Sequence, residues 1–411
     1  MLSADLLRRL DRWLGLPLVW MFGLLRLLLR YWYPAAANRQ GPLLVIQLSE
    51  MGSVIIAEPA LREIGHHQGP FHFLTLERNA DCLALLPALP LERVFVLRDR
   101  SLWLLAWDSL RFIRWSRQQR LGAVLDLELF SRFSTLLGLF SGASRRIGFG
   151  HAGEGLSQGG LVTEPVAYNS HRHMRDNYLA LARQLLGQDV AGCSPTAKDV
   201  LNQVTPFPYD GAAERSVGQR VAWLFNPSPR KPRRRILVQV GAEGVLPQRN
   251  WPRAHWVSAI GGLVSEEGAE VVLCGRQQEW AAAELIRQQV DSPLCVNACG
   301  LFAVAELPHL YRNADLLLAA DSGPAHFAAV AQLPVLVLFG PETPALFRPL
   351  GEHRVLYAGL ACSPCVSAAN HRCTQCRDNR CMQQILPAEV VASARQMLAD
   401  NAVVRLASRR A

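Results

Sequence analysis

The sequence predicts an α/β protein made of two doubly wound domains, and three observations carry that prediction. From Leu43 onward, short apolar runs alternate with longer helical stretches; a Pro- and Arg-rich segment interrupts the alternation; and it then restarts on the same plan. Even the opening units correspond, since LLVIQLSEMGS and ILVQVGAEG each run from an apolar strand into a glycine-containing loop. Continuous apolar strands separated by helical crossovers are the pattern of a parallel sheet covered on both faces. Two such sheets facing each other across a cleft is the economical architecture, with ligands at the carboxyl ends of the strands. A chain of 411 residues, 50% hydrophobic, can bury both cores.

Residues 1–37 precede this pattern. The uncharged run from Trp13 to Leu25 is too short for a span, which takes about 20 residues, and Arg26 and Arg30 break up the apolar residues beyond it. No small-residue cleavage site marks a signal peptide. Arg8, Arg9 and Arg12 beside Trp13, Trp20 and Trp32 suit a helix lying in the interface of an anionic bilayer, the alternative being an ordinary core-docked helix. The segment is therefore expected to be a peripheral or monotopic anchor on the cytoplasmic side of a membrane, separable from the folded domains. Ten cysteines in a chain this long do not argue for secretion.

The first domain, residues 38–215, contains LLVIQ, FHFLTL, RVFVL, AVLDLEL and RRIGF as its strands. Within it, SLWLLAWDSLRFIRWSRQQR places Arg111, Arg114, Arg117 and Arg120 at near-helical spacing and Trp103, Ala106, Leu110 and Ile113 elsewhere. This is a basic amphipathic helix suited to an anionic lipid surface, or else a solvated basic face. Residues 216–235 read as the linker, with a short strand around Val221 to Phe225. The second domain, residues 236–411, supplies RILVQVG, AEVVLCG, LCVNAC, DLLLAAD and PVLVLFG. The charge of +9, nearly all of it arginine, favours anionic partners. Nucleic acid fits the charge but leaves the twin parallel-sheet pattern unexplained, so none is expected.

Two loops carry candidate chemistry. After DLLLAAD, the chain turns at Asp321-Ser322-Gly323 into a helix expected near Ala325, aiming backbone N–H groups where a phosphate can sit; a capped turn without ligand is the plain alternative. After LLVIQ, the loop holds Glu50, Gly52 and Ser53.

The run D-S-G-P-A-H-F-A-A followed by P-V-L-V-L-F-G-P-E-T-P resembles the donor-site signature of the family 9 glycosyltransferases, the heptosyltransferases of lipopolysaccharide core assembly. LLVIQLSEMGSVIIAEPALREI, LDLELFSRFSTLLGLFSGASRRIGF and RNWPRAHWVSAI resemble further family elements in the family's order, the last its Lys-x-Trp-Pro, so that the likeness covers about residues 43 to 395. It implies the GT-B fold of two Rossmann-like domains, and inverting transfer from a nucleotide-sugar without a catalytic metal. The donor by family default is ADP-heptose, and the acceptor a lipid-linked glycan such as lipopolysaccharide core. It also implies that Asp321, Ser322, Gly323, His326 and Gly52 line the donor, that Arg249 neutralises the leaving diphosphate, and that Glu279 meets the nucleotide ribose. For Glu279 a solvated helix-start carboxylate is the alternative.

The opening loop departs from the family's Ser-x-Gly-Asp, whose Asp acts as general base. Here that position is Ser53, whose hydroxyl cannot take the proton unaided, so Glu50 is the expected base. The departure keeps two other readings open, a degenerate GT-B scaffold and a nucleotide-sugar epimerase. Lastly, Cys362-x2-Cys365 and Cys373-x2-Cys376 have the knuckle spacing of a structural zinc site. Free thiols and disulfides stay open beside it.

Overall fold

The computed structural model describes residues 2, 4–29, 41–48, 51–87, 89, 91–150, 158, 160–189, 204–225, 233–241, 246–368, 370 and 374–408. Glu50, His371, Cys373, Arg30 and Trp32 lie outside them. The chain divides into two compact units, Met1–Leu201 with Ser367–Cys373, and Asn202–Val366 with Thr374–Ala411.

In the first unit, β1 (Leu43–Ile46), β2 (His72–Leu76), β3 (Val94–Leu97), β4 (Ala123–Asp126), β5 (Arg145–Gly150) and β6 (Glu164–Ala167) form one parallel sheet in the order β3-β2-β1-β4-β5-β6. In the second, β7 (Arg235–Gln239), β8 (Glu270–Cys274), β9 (Cys295–Asn297), β10 (Leu316–Ala320), β11 (Val335–Phe339) and β12 (His353–Tyr357) repeat that winding as β12-β11-β10-β7-β8-β9. Leu44, Val45 and Ile46 in β1, and Leu316, Leu317 and Leu318 in β10, are fully buried, which requires cover on both sheet faces. The strand order reverses between β1 and β4 and again between β7 and β10, and ligands of such sheets bind at those switch points.

The two Rossmann-like sheets are thus as the sequence predicts, including all ten expected strands. It missed β6 and β12. Both are edge strands with alternating or partial burial, so neither carries a continuous apolar run.

The expected linker is corrected in part. Gly211–Leu224 is a helix, including the stretch where a short strand is expected. Asp210 caps it by accepting from Ala212 N (2.9 Å) and Ala213 N (3.1 Å), and Val217 and Val221 are buried on one face. Asn313 Nδ2 donates to Glu214 O (3.3 Å), so this helix is built into the second unit.

The N-terminal segment, expected to be separable, packs against the first unit. Helices Ala4–Leu10 and Leu16–Leu29 are joined by the π-helical turn Asp11–Gly15, and one face of this assembly docks on the first unit. Val19 is fully buried with Leu136 and Leu161, and Phe22 meets Phe140 edge-on with centroids 5.0 Å apart. Leu2 N donates to Asp99 O (2.9 Å). Asp11 accepts from Phe133 N (2.8 Å) and Ser131 Oγ (3.3 Å) at the start of helix Arg132–Phe140, and pairs with the buried Arg132 at 3.5 Å. Gly15 lies where a Cβ would come within 2.8 Å of the Arg132 side chain, so only glycine allows this approach. The helices also keep an exposed apolar face of Trp13, Leu14, Trp20, Met21 and Leu24. Among the described residues no helix is long and apolar enough to cross a membrane.

Candidate active site

The second unit's switch point collects five of the sequence-predicted residues, Asp321, Ser322, Gly323, His326 and Arg249. Asp321 leaves β10 with its N–H still donating to Leu338 O (3.0 Å), which fixes its backbone to the sheet. Ser322 turns the chain, its hydroxyl on Ala320 O (3.0 Å), and the helix begins at Gly323 with Pro324 in its first turn, two residues earlier than expected. His326 is buried in this short helix. Arg249 comes from the 3-10 turn Pro247–Arg249, ahead of a tryptophan anchor: Trp251 donates to Ile385 O (3.0 Å) and stands edge-on to Trp256, centroids 4.8 Å apart.

Arg249 Nε lies 3.2 Å from Asp321 Oδ2, and its Nη2 lies 3.5 Å from Glu342 Oε2. Glu342 follows β11 through Gly340-Pro341, and its side chain is 1% exposed. Burial raises the pKa of Asp321 against the pull of Arg249. Burial likewise pushes Glu342 up to about 8, opposed by Arg249 and reinforced by the nearby Asp321. One guanidinium therefore serves two buried carboxyl groups. Sequence reasoning missed Glu342, although it sits inside the quoted P-E-T-P; nothing in the local pattern shows that its side chain turns inward.

Glu279 is buried rather than solvated. It starts the helix Trp280–Val290 and accepts from Arg276 N (2.7 Å) and Gln239 Nε2 (3.1 Å), tying the exits of β7 and β8 together. Gly275 permits this, because a Cβ there would lie 2.5 Å from a Glu279 carboxylate oxygen.

At the first unit's switch point, Gly52 and Ser53 are buried in the opening turn of helix Met51–Gln68. The Tyr178 hydroxyl is hydrogen-bonded with Ser53 and Gln47, and burial holds it protonated. Asp126, at the end of β4, accepts from Ser134 Oγ (2.6 Å) and Glu128 N (3.0 Å), and Glu128 Oε1 accepts from Leu48 N (2.6 Å). Burial pushes Asp126 up to about 8 despite the Ser134 bond, with Glu128 adding to the rise. Glu128 thereby holds the Leu48 peptide beyond the end of β1. The sequence hint is LDLEL, a strand running into two carboxylates.

In the Cys-rich loop, Cys362 is exposed, Cys365 and Cys376 are half-buried and Cys381 is buried. Thr374 Oγ1 donates to Cys365 Sγ (3.3 Å). Among the described residues no cysteine is in a disulfide and no three ligating side chains converge for a metal ion.

Known proteins can be set beside this geometry. The chain is 31% identical over 109 residues to lipooligosaccharide heptosyltransferase 2 of Haemophilus influenzae, a match covering 26% of this chain and 31% of that enzyme. The chain thus spans about a third of the length of the curated relatives it matches. In structure it is similar to the E. coli ADP-heptose LPS heptosyltransferase II, with TM-score 0.65, 20% identity, and 87% of this chain and 99% of that one covered. It is equally similar to a family 9 glycosyltransferase of Veillonella parvula, with TM-score 0.65, 16% identity, and 90% and 100% covered. At these identities the likeness speaks for the fold. The family model for glycosyltransferase family 9 (heptosyltransferase) matches residues 110–374, more than half of the sequence, and the chain belongs to that family.

Proposed function

We propose that the chain is an inverting glycosyltransferase that moves a sugar, heptose by family default, from a nucleotide-sugar such as ADP-heptose to a lipid-linked glycan of the lipopolysaccharide-core type. The observation that carries this reading is Arg249 at the carboxyl ends of β7 and β10, beside Asp321, in a Rossmann unit of this family. A half-buried guanidinium there can offset the charge that develops on the departing diphosphate. In the proposed step the acceptor hydroxyl attacks the anomeric carbon, the bond from that carbon to the diphosphate oxygen breaks, and Glu50 takes the hydroxyl proton. Ser53, held by Tyr178, orients and does not take the proton. Ser322, Gly323, His326 and Gly52 are assigned to the donor, and Glu279 to the ribose. The step as written uses no metal.

The test is transfer of radiolabelled heptose from ADP-heptose to a deacylated or native lipopolysaccharide-core acceptor by the full chain. Hydrolysis and transfer both absent, with nucleotide-sugar unbound, would leave the chain as a non-catalytic scaffold.

The membrane reading gains a specific surface. Trp13 (74% exposed) and Trp20 stand outward on the N-terminal helices, and Trp103 (78% exposed), Trp107 and Leu110 stand outward on helix Leu102–Gln119 along the face that continues to Arg114 and Arg117. That helix buries Leu105, Asp108, Phe112 and Ser116 instead, so its tryptophans are not core. Such a surface suits the interface of an anionic bilayer on the cytoplasmic face. Co-sedimentation with vesicles containing phosphatidylserine should fall for Trp13→Ala/Trp20→Ala and for Trp103→Ala/Trp107→Ala, and neutral vesicles should bind weakly. A structural zinc on Cys362, Cys365, Cys373 and Cys376 is proposed on spacing, with Cys362, Cys365 and Cys376 close enough to Cys381 to raise its thiol further. Elemental analysis of the purified chain tests it.

A further inference from the structure

The donor site as described carries more negative than positive charge. Arg249 is met by two carboxyl groups, Asp321 at 3.2 Å and Glu342 at 3.5 Å, with side chains 5% and 1% exposed. Asp321 Oδ2 and Arg249 Nε are buried without a hydrogen bond of good geometry, and Glu342 is held by the Thr343 N–H and the long Arg249 contact. A fully ionised trio would bear a net charge of about −1 in a dry place, and the proposed ligand brings a diphosphate. Two anions cannot share one guanidinium with a third without a proton entering.

We infer that Glu342 is a proton-coupled gate of the donor site: the nucleoside diphosphate binds the form in which Glu342 is a neutral acid, and each donor bound fixes one proton on that carboxyl. This rests on the donor reading above. The proton comes from solvent, no other bond is made or broken, and the freed face of Arg249 turns to the phosphate. Of the two acids Glu342 is the one to yield, because Asp321 has the closer guanidinium contact. Glu342 is also the group on which burial and a neighbouring anion act together, which pushes it up to about 8. The charged groups acting on it are Arg249 from the 3-10 turn and Asp321 from the exit of β10. His326 is buried on the helix that follows Asp321, and just before Glu342 along the chain Pro341 O accepts from Cys365 N (2.9 Å) and Cys381 Sγ would lie 3.2 Å from a Cβ at Gly340.

The sign follows from linkage. Below the pKa of the free enzyme's Glu342 the proton is already present and affinity is insensitive to pH; above it, each pH unit costs up to a factor of ten in affinity. ADP is the probe, titrated into the full chain from pH 7 to 9. The expected Kd rises about tenfold over that range for the wild type, and Glu342→Gln, which is neutral throughout, removes the rise. The wild type alone gives a second reading: near pH 8, binding heats measured in buffers of different ionisation enthalpy should report uptake of about half a proton. Equal pH responses in wild type and Glu342→Gln, or no proton uptake near pH 8, overturn the role of Glu342 and leave the donor site standing. Absence of ADP binding at every pH in both overturns the donor reading, and this inference with it.

Discussion

At the first unit's switch point two buried carboxyl groups are closed off by hydrogen bonds: Asp126 by Ser134 and the Glu128 N–H, Glu128 by the Leu48 N–H. At the second unit's switch point the equivalent pair, Asp321 and Glu342, shares one arginine across 3.2 and 3.5 Å, and Asp321 Oδ2 is left without a hydrogen bond. The sheets have the same strand order, so the contrast does not come from topology. Leaving a buried polar atom unsatisfied costs about 1–3 kcal/mol, which a fold tolerates where something else supplies the missing partner. The first cluster therefore reads as bracing, built to hold the Leu48 peptide. The second reads as a receptor for a charged ligand.

The sharpest way to break this division is at the loop after β1. Glu50→Gln keeps the shape of the side chain but cannot take a proton, and transfer should fall by about 10²- to 10⁴-fold while ADP affinity holds. Ser53→Ala should cost much less, and Ser53→Asp should gain little. A large gain from Ser53→Asp in a barely active chain would move the base away from Glu50. Next comes the receptor cluster, where Arg249→Ala and Asp321→Ala should each lower transfer by about 10²- to 10³-fold with little change in Tm, because the remaining acids can take up protons.

The bracing cluster answers to stability instead. In the folded chain Asp126 keeps its proton to about pH 8, whereas in the unfolded chain it loses it near pH 4. A raised acid pKa favours the folded state below the unfolded value and loses that advantage as pH rises through the folded one, so wild-type stability should decline between about pH 4 and 8. Asp126→Asn mimics the protonated acid and should flatten that decline, by a few kcal/mol at pH 8, on the order set by the shift. Chemical denaturation at several pH values checks it. The smallest effect is expected at Asp11, where Asp11→Ala should cost about 1–2 kcal/mol by removing an acceptor for Phe133 N at the start of helix Arg132–Phe140 and a partner of Arg132, with transfer retained.

The contrast also shows what a sequence makes legible. Asp321 and Arg249 can be read because each sits in a recognisable local run, a strand-turn-helix and a basic residue before Trp-Pro. The central strands can be read because burial on both faces forces an unbroken apolar string. Glu342 and Asp11 cannot, since their meaning lies in contacts 93 and 122 residues away along the chain, Glu342 with Arg249 and Asp11 with Phe133 N. Helix Gly211–Leu224 is hidden for another reason: its buried face is only Val217 and Val221 among alanines and charged residues, which in isolation resembles a linker. The N-terminal segment is half legible. Its tryptophans and arginines are visible as an interfacial face, while the opposite face, through Val19, Asp11 and Gly15, belongs to the core.

Everything proposed for the second unit's switch point depends on its holding a nucleotide-sugar through Arg249. Calorimetric titration of ADP-heptose into the wild-type chain and Arg249→Ala at pH 7 probes that dependence without relying on the acceptor or the base. Saturable binding by the wild type is expected, with at least about 30-fold weaker binding by Arg249→Ala, in keeping with about 2 kcal/mol or more for a buried charge-assisted contact to phosphate. Equal affinity in the two proteins, or no binding by the folded wild type, would refute the role of Arg249 and the site built around it.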